Sequence, residues 1–210
     1  GHINTAGITV YVRGLTFEGG NARACYVQAA TQVAFEDCKF THGQLAGLEL
    51  STVTAGVTNT LYAVNCQFRG NAADGNGTTA AGAGTSTRLV EIGCAYAGNS
   101  GVGTDQGSSI HWSAGNGAVS AIRLNCTFAA NKTCGFADVG GTTTWGLGCR
   151  FTSEAIGAYV GDTGTGWLHG CVFNGCTTDV DPFDAGATIN TTSTIYSTTA
   201  GSGTVARYHP

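Results

Sequence analysis

The chain has 210 residues and a formal net charge of −4, with only 10% charged residues against 42% apolar ones. That is enough apolar material for one sizeable core, and a composition unlike that of a disordered chain. The 9 Lys and Arg are scattered singly, which excludes a nucleic-acid partner because phosphate neutralisation needs clustered cations; no apolar run nears the ~20 residues that span a bilayer, so no membrane insertion is expected.

In chain order, short β-rich segments recur, each followed by a bend residue and a triplet ending in an aromatic. ITVYV precedes Gly14 and Leu15-Thr16-Phe17, and TQVAF precedes Asp37 and Cys38-Lys39-Phe40. TLYAV leads to Asn65 and Cys66-Gln67-Phe68, and TRLVEI to Gly93 and Cys94-Ala95-Tyr96. AIRL, TTTWGL and GWLH then lead to the triplets that begin at Cys126, Cys149 and Cys171. The anchors are spaced by 23, 28, 28, 32, 23 and 22 residues, periods that mark a solenoid. Every bend residue is Gly, Asn or Asp, the types that tolerate a positive φ. A further segment follows most anchors by about ten residues, as in ACYVQ, GLEL, CGFADV and GAYVG, giving three short strands per repeat.

If successive repeats stack, equivalent residues lie ~4.8 Å apart in columns. One column holds the six anchor cysteines and a second holds Phe17, Phe40, Phe68, Tyr96, Phe128, Phe151 and Phe173. The residue between each pair, from Thr16 to Val172, faces outward by period-two alternation. Asn71, Asn99 and Asn131 form a third column. The 9 cysteines follow the repeat rather than paired spacings and read as buried free thiols. Before the bend, Val64, Ile92, Leu124 and Leu147 are assigned inward, although Arg13 and Glu36 occupy the same place in the first coils. On that phase Glu91 and Arg123 form an outer-surface pair. Residues 1–183 make the solenoid; the Thr/Ser/Gly-rich residues 184–210 either cap its open end or pair with a neighbouring subunit. The absence of methionine reads as a fragment or processed product.

This arrangement resembles the right-handed parallel β-helix of the pectate-lyase-like and phage-tailspike class. The resemblance implies an all-β, single-stranded solenoid of about seven coils, right-handed as crossovers generally are.

Chemistry on such a fold belongs to its outer face and its loops. Asp74 to Thr87 and Ser100 to Ser120 read as insertions forming one wall of a groove, with Asp105, His111 and Trp112 as candidate sugar-binding residues. Asp138, Asp162 and Asp184 lie twelve or thirteen residues after successive anchor cysteines and are candidate catalytic carboxylates, at spacings that bracket those of glycosidases. Asp179, Asp181 and Asp184 are an alternative calcium set, but no zinc spacing, P-loop or nucleophile elbow is present, and no cofactor or metal is expected.

The first reading of function is a virion component, a tailspike, fibre or capsid-decorating β-helix. The resemblance implies assembly in the host cytoplasm, homotrimerisation, contact with other virion proteins and a bacterial surface polysaccharide as ligand. The alternatives are a polysaccharide hydrolase or lyase using a carboxylate pair, and a self-standing adhesin.

Overall fold

The computed structural model describes residues 1–20, 22–28, 32–52, 56–80, 84–99, 106–112 and 119–208. Its strands form three sheets of nine, seven and eight strands, and every strand pairing is parallel. The first sheet collects the segments before the bend, from Thr9–Arg13 to Thr204–Tyr208. The second collects the short triplet strands from Thr16–Gly20 to Val172–Asn174, and the third the segments from His2–Ile3 to Thr178–Pro182. The chain is a parallel β-helix in which each turn up to Pro182 contributes one strand to each sheet in sequence order.

The bend between the first and second sheets is set by backbone conformation. Asp37, Asn65 and Asn125 have φ of 53°, 52° and 52°, and Gly14, Gly93, Gly148 and Gly170 lie between 62° and 69°. This left-handed residue turns the chain without a loop. Asn65 and Asn125 also explain two glycines, because a Cβ on Gly93 or Gly148 would stand 2.7 or 2.5 Å from the Oδ1 of the asparagine one turn below.

The cysteine after each bend is inward and free, and all six anchor cysteines are buried. Each thiol has a backbone acceptor in the previous turn: Cys66 Sγ lies 3.4 Å from the Phe35 carbonyl, Cys94 Sγ 3.2 Å from that of Ala63, and Cys149 Sγ 3.3 Å from that of Arg123. Thr194 takes the place after Cys171 and donates its hydroxyl to the Leu168 carbonyl at 3.0 Å. The position therefore calls for a small side chain carrying a donor, which cysteine supplies with little polar cost inside a core.

The aromatic column is a continuous stack from Phe17 to Phe173, with centroid separations of 4.4–5.0 Å and interplanar angles of 10° or less. Beside it, Asn71 donates to Asn99 Oδ1 at 2.9 Å and Asn99 to Asn131 Oδ1 at 2.7 Å. Asn131 passes the chain to Glu154 Oε1 at 2.9 Å, where the amide ladder ends. A further column consists of Gly47, Gly75, Gly107, Gly135 and Gly157, whose backbones pass close to the aromatic and amide ladders; a Cβ on Gly135 would lie 2.6 Å from both the Gly157 carbonyl and Phe151 Cδ1.

Two expectations are corrected here. The inward column before the bend is Val12, Phe35, Ala63, Glu91, Arg123, Gly146 and Leu168, held in one register through every turn. Val64, Ile92, Leu124 and Leu147 belong instead with Arg13 and Glu36 on the outside, so no phase shift exists. The supposed insertions also carry strands of the third sheet, Asp74–Ala80 and Gln106–Trp112. Their strand character is masked in the sequence because the inward residues Asn76 and Thr78 are polar, though fully buried.

Beyond Phe183 the chain continues the same stacking. Thr188–Thr192 pairs with Thr165–His169 and Thr204–Tyr208 pairs with Thr188–Thr192, while Ile195 and Thr199 bridge to Val172 and Val180. Asp179 pins this segment: its Oδ2 accepts from the Ser197 N–H at 2.6 Å, the Thr198 N–H at 3.0 Å and the Ser197 hydroxyl at 3.1 Å.

Candidate functional site

Asp138 is not at an outer corner. Its column in the third sheet is Val27, Leu50, Thr78, Ile110, Asp138 and Val160, and it is fully buried. There it takes both terminal nitrogens of Arg123, at 2.6 and 2.9 Å. The Arg123 Nε–H donates to Glu91 Oε2 at 3.1 Å, one amino group also reaches Thr144 Oγ1 at 2.9 Å, and the guanidinium lies 4.4 Å over the Phe136 ring. Glu91 Oε1 in turn accepts from Asn76 at 2.7 Å and from the Tyr96 hydroxyl at 2.5 Å. Burial works against the Arg123 charge, and the facing carboxylates of Asp138 and Glu91 more than restore it. Burial and the Glu91 charge both push the Tyr96 phenol up, so it remains a donor. The expected outer pair is thus an interior cluster, and its demand for a hydroxyl explains why this turn alone has tyrosine in the aromatic column.

Asp162 and Asp184 do meet at one corner. The Asp162 N–H donates to Asp184 Oδ2 at 2.6 Å, and Asp162 itself is exposed with φ of 53°. Asp184 therefore caps a left-handed turn one coil below it, and with Asp138 two residues off this column and inside the core, the three carboxylates are not brought together. The alternative calcium set is likewise divided, since Asp179 is engaged by residues 197–198. Asp105 lies outside the described residues. His111 and Trp112 fall in a regular strand, paired with Thr79 and Ala80, rather than on a projecting loop.

A buried titratable group that sequence reasoning did not single out is Glu154, 2% exposed. Burial pushes its carboxyl up to about 7, with the Asn131 bond opposing, and its Oε2 has no hydrogen-bond partner among the described residues. It is enclosed, and it serves the ladder.

Apolar side chains also gather on the outer side of the first sheet. Its central column is Tyr11, Ala34, Tyr62, Val90, Ile122, Trp145 and Trp167, in register. Tyr62, Ile122 and Trp167 are 40%, 39% and 40% exposed. Immediately beside it run Val64, Ile92, Leu124 and Leu147, each half-buried. The other flank is polar, with Thr60, Arg88, Ser120, Thr143 and Thr165 in one column. Charge gathers at the first turns, where Arg13 bonds Asp37 at 3.1 Å and Tyr11 bonds Glu36. At the other end Trp167 packs near Tyr208 with centroids 6.1 Å apart. The misassigned phase concealed this face; carrying the outward requirement of Arg13 and Glu36 through all turns would have exposed it.

No protein-family model matches the chain, and no curated protein matches it. Among solved structures the chain is similar to QnrB1, described as a plasmid-mediated fluoroquinolone resistance protein, with 13% identity over 92% of this chain and 82% of that one. The TM-score is 0.28, a likeness that carries no argument about what this chain does.

Proposed function

We propose that the chain is a structural trunk of a phage virion, of the tailspike, fibre or decoration kind, which stands against other virion proteins and projects toward host-surface glycan. The observation that supports this reading is a rod with unbroken thiol and aromatic columns and an apolar column along the outer side of its first sheet. Such a body suits stiffness and lateral packing. Two of the three candidate carboxylates are engaged in the scaffold, Asp138 inside the core and Asp184 at the Asp162 turn.

The test is incubation of the purified protein with capsular and lipopolysaccharide glycans, following both binding and the release of shorter chains. The trunk reading expects no release of fragments, and Asp162→Asn and Asp184→Asn variants that bind as the parent does. Depolymerisation that disappears in either variant would replace it with the hydrolase or lyase reading.

A further inference from the structure

The dipeptide Asn-Gly occurs three times in the chain, and its chemistry depends on where it sits. A glycine nitrogen, with no Cβ beside it, can attack the side-chain carbonyl of the preceding asparagine. It does so only where a hydrogen bond does not hold that nitrogen and the backbone is free to turn. Two of the three dipeptides stand in opposite environments, and Asn116-Gly117 lies outside the described residues.

Asn76-Gly77 is locked. Asn76 is fully buried and donates to Glu91 Oε1 at 2.7 Å, and Gly77 lies inside the third sheet between Glu49 and Ser109. Asn174-Gly175 instead ends the last strand of the second sheet, Val172–Asn174, at a bend where Gly175 has φ of 68°. In earlier turns the N–H at this bend donates to the turn that follows. Gly70 reaches the Ala97 carbonyl at 3.2 Å, Gly98 that of Ala129 at 3.1 Å, Ala130 that of Thr152 at 3.0 Å and Ser153 that of Asn174 at 3.1 Å. The series stops at Gly175, whose N–H has no partner among the described residues. One turn on, the N–H groups of Ser197 and Thr198 are bound by Asp179 instead. Asn174 is exposed, and its side-chain amide has no hydrogen bond among the described residues.

We propose that Asn174-Gly175 is a site of spontaneous covalent modification, independent of what the trunk carries. The Gly175 nitrogen loses its proton and attacks Asn174 Cγ. An N–Cγ bond forms, the Cγ–Nδ2 bond breaks, and the amide nitrogen leaves as ammonia with the proton that Gly175 gave up. Water then opens the cyclic imide at either carbonyl, giving aspartate or isoaspartate. Either product adds a carboxylate at the end of the second sheet. The isoaspartyl form also routes the backbone through Cγ, lengthening the bend that leads into Cys176.

The experiment holds the purified full chain in mildly alkaline buffer made with heavy-oxygen water, native and in denaturant. Each Asn-Gly fragment is followed by mass, so that position is assigned directly. In the native chain Asn174 should convert about 10-fold or more faster than Asn76, whose reaction waits on opening of the sheet. Heavy oxygen should appear in both aspartyl and isoaspartyl products, and in denaturant the two sites should convert at similar rates. Gly175→Ser copies Ser153, which holds the same bend one turn earlier with φ of 55°, and should suppress the conversion of Asn174. Three results would each overturn the assignment: Asn174 intact in the native chain while it converts in denaturant, Asn76 keeping pace with it, or Gly175→Ser converting as the parent does.

Discussion

Single residues in this protein carry charge and protons where a solenoid would ordinarily place hydrocarbon. Arg123 holds Glu91 and Asp138 in the interior, with Tyr96, Asn76 and Thr144 completing their hydrogen bonds. Replacing it by methionine removes the one cation that the described residues place in the cluster and leaves the buried Glu91 and Asp138 carboxylates without it. Arg123→Met should lower stability by about 3–5 kcal/mol in chemical denaturation. Glu154 makes a prediction with the opposite character. Its carboxyl is raised from 4.5 to about 7 in the folded state, so the native chain binds a proton that the unfolded chain releases. Stability from this group is therefore full below about pH 4.5, declines as pH rises to about 7, and is flat above. Burial raises the nearby thiols of Cys134 and Cys176 out of that window, and it also raises the Asp181 carboxyl, which adds a slope of the same sign from the acid side. The melting temperature of the parent should fall across this range. In Glu154→Gln, which keeps the acceptor for Asn131, that slope should flatten, with a gain over the parent at pH 8.

At the scale of strands and bends, the spacing between backbones sets the tolerance. Gly135 lies where the third sheet passes closest to the aromatic stack, and a Cβ there would come within 2.6 Å of backbone and ring. Gly135→Ala should cost about 1–3 kcal/mol, the range for forcing atoms into a filled core. The same geometry explains what could be read from the sequence. The bend residues and the Cys-x-aromatic triplets were legible because each is demanded at every turn by a backbone conformation or a packed column, and repetition makes such a demand visible. The third-sheet strands Asp74–Ala80 and Gln106–Trp112 were not, because their inward residues include Asn76 and Thr78 and their glycines suggest loops. The phase before the bend failed for a related reason. Val64, Ile92, Leu124 and Leu147 look like core, and Glu91 and Arg123 look like surface, until the burial of Asp138 supplies the countercharge that reverses both. Of the candidate site, Asp162 and Asp184 were correctly neighbours, while the apolar outer face was hidden by that phase.

For the whole molecule, the claim on which the rest depends is that successive turns stack in register and send one thiol per turn into a shared interior, with none paired. All nine cysteines are free; eight are buried and only Cys176 is partly exposed. Burial pushes Cys25 up to about 11, which slows its reaction further at neutral pH. A rod organised in this way should unfold cooperatively and release its thiols together. The direct measurement is thiol alkylation followed by intact mass, without reductant, in native buffer and in denaturant. The account predicts modification at Cys176 alone on the native protein within minutes, and at all nine positions once it is unfolded. Fewer than nine additions in denaturant would reveal disulfides, and rapid labelling of several anchor cysteines in native buffer would show that they do not share one closed column; either result contradicts the stacked solenoid.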